Sequence, residues 1–264
     1  MLKEATTCDD FLDGSMRLIQ PRLGHRIGTD AILLAACAPG PEGLGELALA
    51  DLGSGVGAAG IAAALRLPDA IVQLVENDPD IASLAAENLR LNRLDRRVSI
   101  VTVDLFASAR LREAAGLGPA TVDIILSNPP FASAAAGRVS PNEKRRLAHV
   151  MQNGDLEAWL RAAAHLLKPH GTLALIHRAD ALKQVLDALA RGFGALRLIF
   201  VHPTLGAPAT RLLVRAVRQS RAPLQILVPI ILHEAAGGGF TPEAEALHRG
   251  SAIIDWVKGG VRPL

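Results

Sequence analysis

A regular alternation of apolar runs and helix-period segments constrains the fold of this chain more than any other feature. The apolar runs cover residues 47–53, 71–77, 98–104, 122–128 and 172–177. Amphipathic, alanine-rich segments separate them, for example at residues 79–92 and 155–167. Runs that are apolar almost without interruption suit strands buried on both faces. The repeated strand–helix–strand order therefore predicts an α/β fold with a parallel sheet and helices on both sides.

The pattern changes after residue 178. A helical segment at residues 180–191 is followed by apolar runs at residues 195–202, 211–218 and 224–232. Pro203, Gly206 and Pro208 lie between the first two of these runs and predict a wide hairpin loop. We therefore expect an antiparallel hairpin in the C-terminal part of the sheet.

Both ends of the chain carry smaller elements. Glycines among short apolar pairs in residues 10–28 predict a small hairpin, and residues 29–38 predict a helix with Thr29 or Asp30 near its N-cap. A run of glycines at residues 237–239 opens a tail with helical spacing, which we expect on the surface. The predicted units are an N-terminal hairpin and helix extension (1–40), a central domain (41–234) and a C-terminal surface tail (235–264).

Composition narrows the class of protein. Half of the residues are hydrophobic and 20% are charged, which suits a large core. No apolar stretch approaches the ~20 residues that span a bilayer, and no signal peptide is evident. Cys8 and Cys37 match no metal or redox spacing, so we expect a reducing, cytoplasmic compartment. A net charge of +2 permits an anionic partner without requiring one.

A glycine-rich segment, Asp51-Leu52-Gly53-Ser54-Gly55-Val56-Gly57, follows the first run and opens a helix. Glycines allow a sharp turn and close approach of a ligand, and the helix N-terminus adds oriented N–H groups. Glu76, with Asn77 after it, ends the second run, where an acid accepts hydrogen bonds from a ribose. Both NAD and S-adenosylmethionine carry a ribose, but an acid at Asp51 suits the ammonium and sulfonium charges of the latter.

Two further strand ends carry polar side chains. Asp104 closes the third run, where it could accept a hydrogen bond from an adenine amino group or cap the segment near Phe106. Asn128-Pro129-Pro130-Phe131 follows the fourth run. Consecutive prolines cannot continue a ladder or a helix, so the chain must turn stiffly after Asn128. The turn holds an amide, a proline carbonyl and an aromatic ring around a space that suits a flat, NH₂-bearing group.

These motifs resemble those of the class I S-adenosylmethionine-dependent methyltransferases. The glycine segment looks like the first motif of that class, Glu76 like its ribose-binding acid, and residues 128–131 like its amino-group methylation motif. Residues 20–35, including Thr29, are similar to the bacterial tRNA1(Val) adenine-37 N6-methyltransferase group. The resemblance implies a Rossmann-like, doubly wound, mostly parallel seven-stranded sheet and S-adenosylmethionine as the cofactor.

The resemblance also implies roles for individual residues. Asn128, Pro129 and Phe131 are the expected catalytic residues. The expected cofactor-binding residues are Asp51, Gly53, Gly55, Gly57, Glu76, Asn77, Asp104, Asn128 and Thr29. RNA, in particular tRNA, is the expected substrate. Its expected contacts come from the charge pattern instead, because basic residues follow the turn in a predicted helix and also occur in the entry segment: Arg138, Lys144, Arg145, Arg146 and Arg26. No metal, membrane or obligate protein partner is implied.

Several alternatives stay open. Phe131 stands where the tRNA group often has tyrosine, and phenylalanine is common there in ribosomal RNA guanine-N2 methyltransferases. The same turn suits a protein glutamine amide (N5 methylation). A small-molecule O-methyltransferase leaves Asn128 without a role, and a non-catalytic S-adenosylmethionine-binding module would retain the cofactor loop alone.

Overall fold

The computed structural model describes residues 6–22, 26–39, 47–130 and 155–264. Its strands are β1 (Thr6–Phe11), β2 (Met16–Pro21), β3 (Ala48–Leu52), β4 (Ile71–Glu76), β5 (Val98–Thr102), β6 (Val122–Ser127), β7 (Leu167–Arg178), β8 (Phe193–Thr204), β9 (Arg211–Arg218), β10 (Gln225–Ile226), β11 (Ile230–His233), β12 (Ala252–Ile254) and β13 (Val261–Pro263). Its helices are α1 (Thr29–Ala36), α2 (Ala58–Arg66), α3 (Pro79–Leu91), α4 (Ala109–Ala114), α5 (Asp155–Leu166), α6 (Leu182–Leu189) and α7 (Pro242–His248), with a 3₁₀ turn at Ala179–Ala181.

The main sheet has the order β10-β8-β9-β7-β6-β3-β4-β5, and β11 also pairs with β8. Strands β3 to β7 pair in parallel, whereas β9 runs antiparallel to both β7 and β8. From β3 the chain moves outward through β4 and β5 and then returns to β6 on the other side of β3. The switch point of this doubly wound sheet therefore lies between β3 and β6, which is where such sheets bind ligands.

Helices cover both faces of the sheet. Helices α1, α2 and α3 bury apolar side chains such as Leu33, Ile61 and Leu89 on one face. Helices α5 and α6 bury Leu160 and Val185 on the other. The expected layered α/β architecture is confirmed.

The predicted strands of the core sheet are all present, and two short strands extend it. The run at residues 224–232 contains Pro229, which lacks an N–H group, and gives the separate strands β10 and β11 beside β8. The helix predicted at residues 29–38 begins at Thr29, directly after its capping position, Gly28, which makes no side-chain cap hydrogen bond.

The tail, which the sequence predicts at the surface, packs several apolar side chains into the core. Leu247 on α7, Ile254 on β12 and Trp256 are buried in the same core as α1. The Trp256 indole N–H donates to the Cys37 carbonyl at the end of α1, at 3.1 Å. Apolar side chains three and four residues apart on α7 need cover, and α1 supplies it. The division of the chain into three units remains a prediction.

In the described ranges, no helix has the length and apolar character that crossing a membrane requires.

Candidate functional site

The carboxyl ends of β5, β4, β3 and β6 lie side by side at the switch point. The register pairs Leu52 of β3 with both Val75 and Ser127, and it pairs Glu76 with Thr102. Neighbouring strands are ~4.8 Å apart, so the four ends extend over about 15 Å. The expected cofactor acids and Asn128 therefore follow one continuous edge of the sheet.

The glycine loop connects β3 to α2 through a tight backbone path. The N–H groups of Gly53 and Ser54 both donate to the Val75 carbonyl, at 2.9 and 3.0 Å. Gly55 and Gly57 have left-handed backbones, with φ of 57° and 93°. A Cβ at Gly55 would meet nothing within 4 Å, whereas one at Gly57 would lie 2.8 Å from Leu74 Cδ1. The loop is thus packed on its inner side and open at Gly55.

Glu76 holds this loop against the end of β4. Its Oε2 accepts the Gly55 N–H at 2.9 Å. Its Oε1 accepts the N–H groups of Asn77 and Asp78 at 2.9 and 3.0 Å. A carboxylate offers about four lone-pair sites and three are used, so about one acceptor site, on Oε2, remains for a ribose hydroxyl.

Asp51 is buried directly below the loop. It is 3% exposed, and its Oδ2 accepts the Gly60 N–H at 2.8 Å. Burial raises the pKa of Asp51 to about 7, against the lowering effect of the Gly60 hydrogen bond, and the Glu76 charge adds to the rise. A cation in the crevice would favour the ionised form of Asp51.

Asp104 lies at the exposed end of the segment that follows β5. Its Oδ1 accepts the Phe106 N–H at 2.9 Å, so it caps the turn that presents Phe106. The Phe106 ring is 48% exposed and stands edge-on to Trp159, with centroids 6.0 Å apart. An exposed aromatic face beside the loop suits a planar ligand ring. Phe106 is not among the site residues expected from the sequence, although its place two positions after a strand-end acid was a signal for it.

Two shielded oxygens at the switch point lack hydrogen-bond partners. Asn128 Oδ1, after β6, and Ser54 Oγ, after β3, have no partner within the described ranges. Leaving such an atom unsatisfied costs about 1–3 kcal/mol. A ligand with N–H or O–H groups would satisfy them. Pro129, which follows Asn128, is buried as well.

The other expected residues that the structure describes lie nearer the rim. Asn77 is exposed directly after Glu76. Thr29 is the first residue of α1. The N–H of Arg211 Nε is shared between the two carboxylate oxygens of Asp30, the neighbour of Thr29, at 2.8 and 3.0 Å. Arg26 is exposed and forms an ion pair with Asp9 at 3.0 Å.

The remaining expected residues fall outside the described ranges. They are Phe131, Arg138, Lys144, Arg145 and Arg146. Their assignments stay predictions.

The fold and the site together define a class I methyltransferase. The strand order, the glycine loop after the first core strand and the acids at successive strand ends are all present. The family model of the methyltransferase small domain matches residues 31–202, and the chain belongs to this family. The open Gly55, the acceptors of Glu76 and the buried acid Asp51 fit S-adenosylmethionine, a cationic cofactor that carries a ribose.

Curated relatives share one name. The tRNA1(Val) (adenine(37)-N6)-methyltransferase of Porphyromonas gingivalis strain W83 is 34% identical over 162 residues, 61% of each chain. Its namesakes in Tolumonas auensis and Dyadobacter fermentans are 31% and 27% identical, over 66% and 86% of this chain and 68% and 90% of their own. The matched region thus covers 61% of the length of the P. gingivalis relative.

A solved structure resembles most of the fold. It is a predicted O-methyltransferase from Agrobacterium tumefaciens, with a TM-score of 0.70 and 32% sequence identity. The match covers 84% of this chain and 96% of that one. The likeness therefore extends well beyond the glycine loop.

Proposed function

We propose that this protein transfers a methyl group from S-adenosylmethionine to N6 of an adenine in RNA, and that this RNA is a tRNA. The observation that carries the proposal is the shielded Oδ1 of Asn128, which has no partner among the described residues and lies at the switch point beside the glycine loop. The name of the curated relatives supports adenine and tRNA. A cytoplasmic location is part of the proposal, since tRNA is modified there in bacteria.

The Asn128-Pro129 turn would bind the target amine. The lone pair of an exocyclic adenine amine is delocalised into the ring, so the nitrogen is a poor nucleophile. Hydrogen bonds from its two N–H groups to Asn128 Oδ1 and the Pro129 carbonyl would support the positive charge that develops on nitrogen. They would also orient the nitrogen towards the methyl group, so position and electrostatics supply the rate enhancement. No strong general base is needed, because the proton can leave after transfer.

The residues of the adjacent strand ends would bind the cofactor. When bound, S-adenosylmethionine supplies a methyl group on a positively charged sulfur. Glu76 would accept a hydrogen bond from a ribose hydroxyl, and Asp104 one from the adenine amino group. Asp51, in its ionised form, would stabilise the positive charges from below the loop. Gly53, Gly55, Gly57, Asn77 and Thr29 complete the proposed cofactor set.

The proposed RNA contacts are basic. Arg138, Lys144, Arg145 and Arg146 follow the Asn-Pro-Pro-Phe motif in the sequence, and Arg26 lies in the N-terminal segment. Positively charged side chains bind phosphates and make affinity salt-dependent. Phe131 would stack on the target base, which is worth ~1–3 kcal/mol. We propose no membrane partner and no obligate protein partner.

The alternatives differ in the acceptor. Guanine-N2 of ribosomal RNA and a protein glutamine amide both present an NH₂ group that the same turn would suit. The Agrobacterium structure is described as an O-methyltransferase. A hydroxyl group that receives the methyl group, however, can donate at most one hydrogen bond to Asn128 Oδ1. It can do so only before the hydroxyl loses its proton.

The test is methylation with labelled S-adenosylmethionine of separate RNA and protein fractions from a strain that lacks this enzyme, followed by mass spectrometry of the nucleosides and of the protein hydrolysate. We expect N6-methyladenosine in the tRNA fraction. N2-methylguanosine in ribosomal RNA would identify guanine, not adenine, as the target base. Label in protein would identify a glutamine amide as the target. Cofactor binding with no transfer to any fraction would indicate a binding module.

A further inference from the structure

The N-terminal hairpin and the glycine loop are joined through one buried side chain. Asn88 on α3 is 0% exposed. Its Oδ1 accepts the Ile19 N–H at 2.6 Å, and its Nδ2 donates to the carbonyls of Ile19 and Val56, both at 3.0 Å. Ile19 belongs to β2, and Val56 lies between Gly55 and Gly57 of the loop. Both amide hydrogens are therefore used, one on each element.

The hairpin depends on this docking. Among the residues that the structure describes, strands β1 and β2 pair only with each other and form a sheet of their own. An isolated two-stranded hairpin is marginally stable at best in water. Met16 and Leu18, both 0% exposed, pack it against the main core, and α3 supplies the hydrogen bonds to its backbone.

A second asparagine makes the same contact without the loop. Asn92, one helical turn after Asn88, accepts the Arg17 N–H at 3.0 Å and donates to the Arg17 carbonyl at 2.7 Å. Four helical residues advance ~6 Å and two strand residues ~6.7 Å, so the two amides reach alternate residues of β2. The other Asn92 donor bonds to the Asn88 carbonyl of its own helix, at 2.8 Å.

We propose that Asn88 is a positioning residue that couples the cofactor loop to the N-terminal hairpin, so that cofactor binding and hairpin docking stabilise each other. The coupling rests on the proposed assignment of the glycine loop to the cofactor and does not depend on which base is methylated. Such a coupling is reciprocal by thermodynamic necessity. Since Arg26 is ion-paired to Asp9 of β1, the hairpin also sets the position of one proposed RNA contact.

The Val56 carbonyl is the atom through which Asn88 contacts the glycine loop. It belongs to the peptide between Val56 and Gly57, whose N–H donates to the Ser54 carbonyl at 2.9 Å. Fixing one side of this peptide fixes the path of Gly55 as well, and Gly55 donates to Glu76 at 2.9 Å. A substitution of Asn88 is thus expected to change the positions of the residues that would bind the ribose.

Hydrogen–deuterium exchange of the full-length chain tests the coupling directly. The probe is S-adenosylhomocysteine, the demethylated form of the cofactor. In the wild type we expect it to slow exchange in the peptide that contains Ile19. If S-adenosylhomocysteine binds and exchange in this peptide does not change, the coupling is wrong. If the wild type does not bind it at all, the cofactor assignment fails as well, so the two failures are distinguishable.

Asn88→Ala and Asn92→Ala are the matched variants. Each removes a pair of hydrogen bonds to the backbone of β2, but only Asn88→Ala also removes the hydrogen bond to the Val56 carbonyl. We expect Asn88→Ala to raise the Kd of S-adenosylhomocysteine about five-fold or more, the lower end of usual couplings, and to abolish the exchange protection. Asn92→Ala should change the Kd less than about two-fold at a similar loss of thermal stability. Equal effects of the two variants on the Kd would reduce Asn88 to a structural role and overturn the proposal, and the wild-type exchange measurement decides it if Asn88→Ala does not fold.

Discussion

The Trp159 indole N–H donates to Ser127 Oγ at 2.9 Å, and both residues are buried. The same ring lies under the glycine loop, because a Cβ placed on Gly53 would be 3.0 Å from its Cη2 atom. One side chain of α5 therefore packs against the ends of β3 and β6. These are the two strands that flank the switch point, and Ser127 directly precedes Asn128.

Trp159→Phe is expected to reduce kcat. It removes the donor to Ser127 and loosens the strand end that carries Asn128. We expect a fall of roughly ten- to a hundred-fold in kcat, as for a small misplacement of a catalytic group. Single-turnover methylation under saturating cofactor measures it.

Trp256→Phe is the matched control. It loses a similar indole hydrogen bond, to the Cys37 carbonyl, in the core on the opposite face of the sheet. Both variants should be destabilised, by about 1–3 kcal/mol. Only Trp159→Phe should lose catalytic rate, and an equal loss in both would assign the effect to general stability.

Asp51→Asn should change how stability depends on pH. The pKa of Asp51 is raised from 3.8 to about 7, so the folded chain holds a proton that the unfolded chain has released. The stability from this group is present in full below the unfolded pKa and is lost as pH rises through the folded pKa. Between pH 5.5 and 8.5 the free energy of unfolding should fall by about 2 kcal/mol from this residue alone.

Asparagine keeps the acceptor for the Gly60 N–H, so the variant should lack this fall and be the more stable chain at pH 8.5. Urea unfolding of the cofactor-free proteins at both pH values gives the comparison. Affinity for S-adenosylmethionine should rise from pH 6 to 8 in the wild type and stay flat in the variant. The same pH dependence in both chains would show that Asp51 is ionised throughout.

Glu76→Gln should weaken cofactor binding. The carboxylate accepts three backbone N–H groups, and the glutamine amide would turn its own NH₂ towards at least one of them. The loop would lose its tie at Gly55 as well as a ribose acceptor. We expect the Kd of S-adenosylhomocysteine to rise about ten-fold or more, consistent with loss of charge-assisted hydrogen bonds. Glu87→Gln, on the exposed face of α3, is the control and should bind as the wild type does.

Local chemistry explains which parts of the site could be read from the sequence. Asp51, Glu76 and Asp104 end apolar runs, and the ends of parallel strands must meet at one edge, so their alignment followed from the pattern. The role of Asn88 could not be read in this way. An asparagine inside an amphipathic helix is usually solvated, and only the docked hairpin shows that its amide joins two distant segments.

The tail illustrates a second limit. Its glycine-rich start and short helix are typical of a surface segment, and nothing local indicates that α1 leaves apolar surface for Leu247 and Ile254 to cover. Long-range packing decides burial, and pattern alone does not report it.

Leu247→Ala tests the structural role of the tail. Leu247 is 1% exposed, so the variant leaves a cavity between α7 and α1 and should cost about 2–5 kcal/mol of unfolding free energy. Val257→Ala, at a side chain that is 76% exposed, should change stability by less than about 0.5 kcal/mol. Denaturant unfolding distinguishes the two. Matching small effects would indicate that the tail is dispensable for the fold.

Asn128→Ala separates catalysis from cofactor binding. The variant removes the proposed hydrogen-bond acceptor of the target amine. The backbone of the turn should be retained, because its two prolines fix it. We expect kcat to fall about a hundred-fold or more, as when a preorganised hydrogen-bonding partner of the reacting group is removed. The Kd of S-adenosylhomocysteine should stay within about three-fold, because Asp51, Glu76 and the loop are intact. Asn77→Ala, which alters an exposed amide at the end of β4, should show the reverse pattern, with a raised Kd and nearly unchanged kcat. Loss of cofactor binding in Asn128→Ala would mean that the turn belongs to the cofactor site. The proposed separation of cofactor binding at the end of β4 from amine binding at the end of β6 would then be wrong.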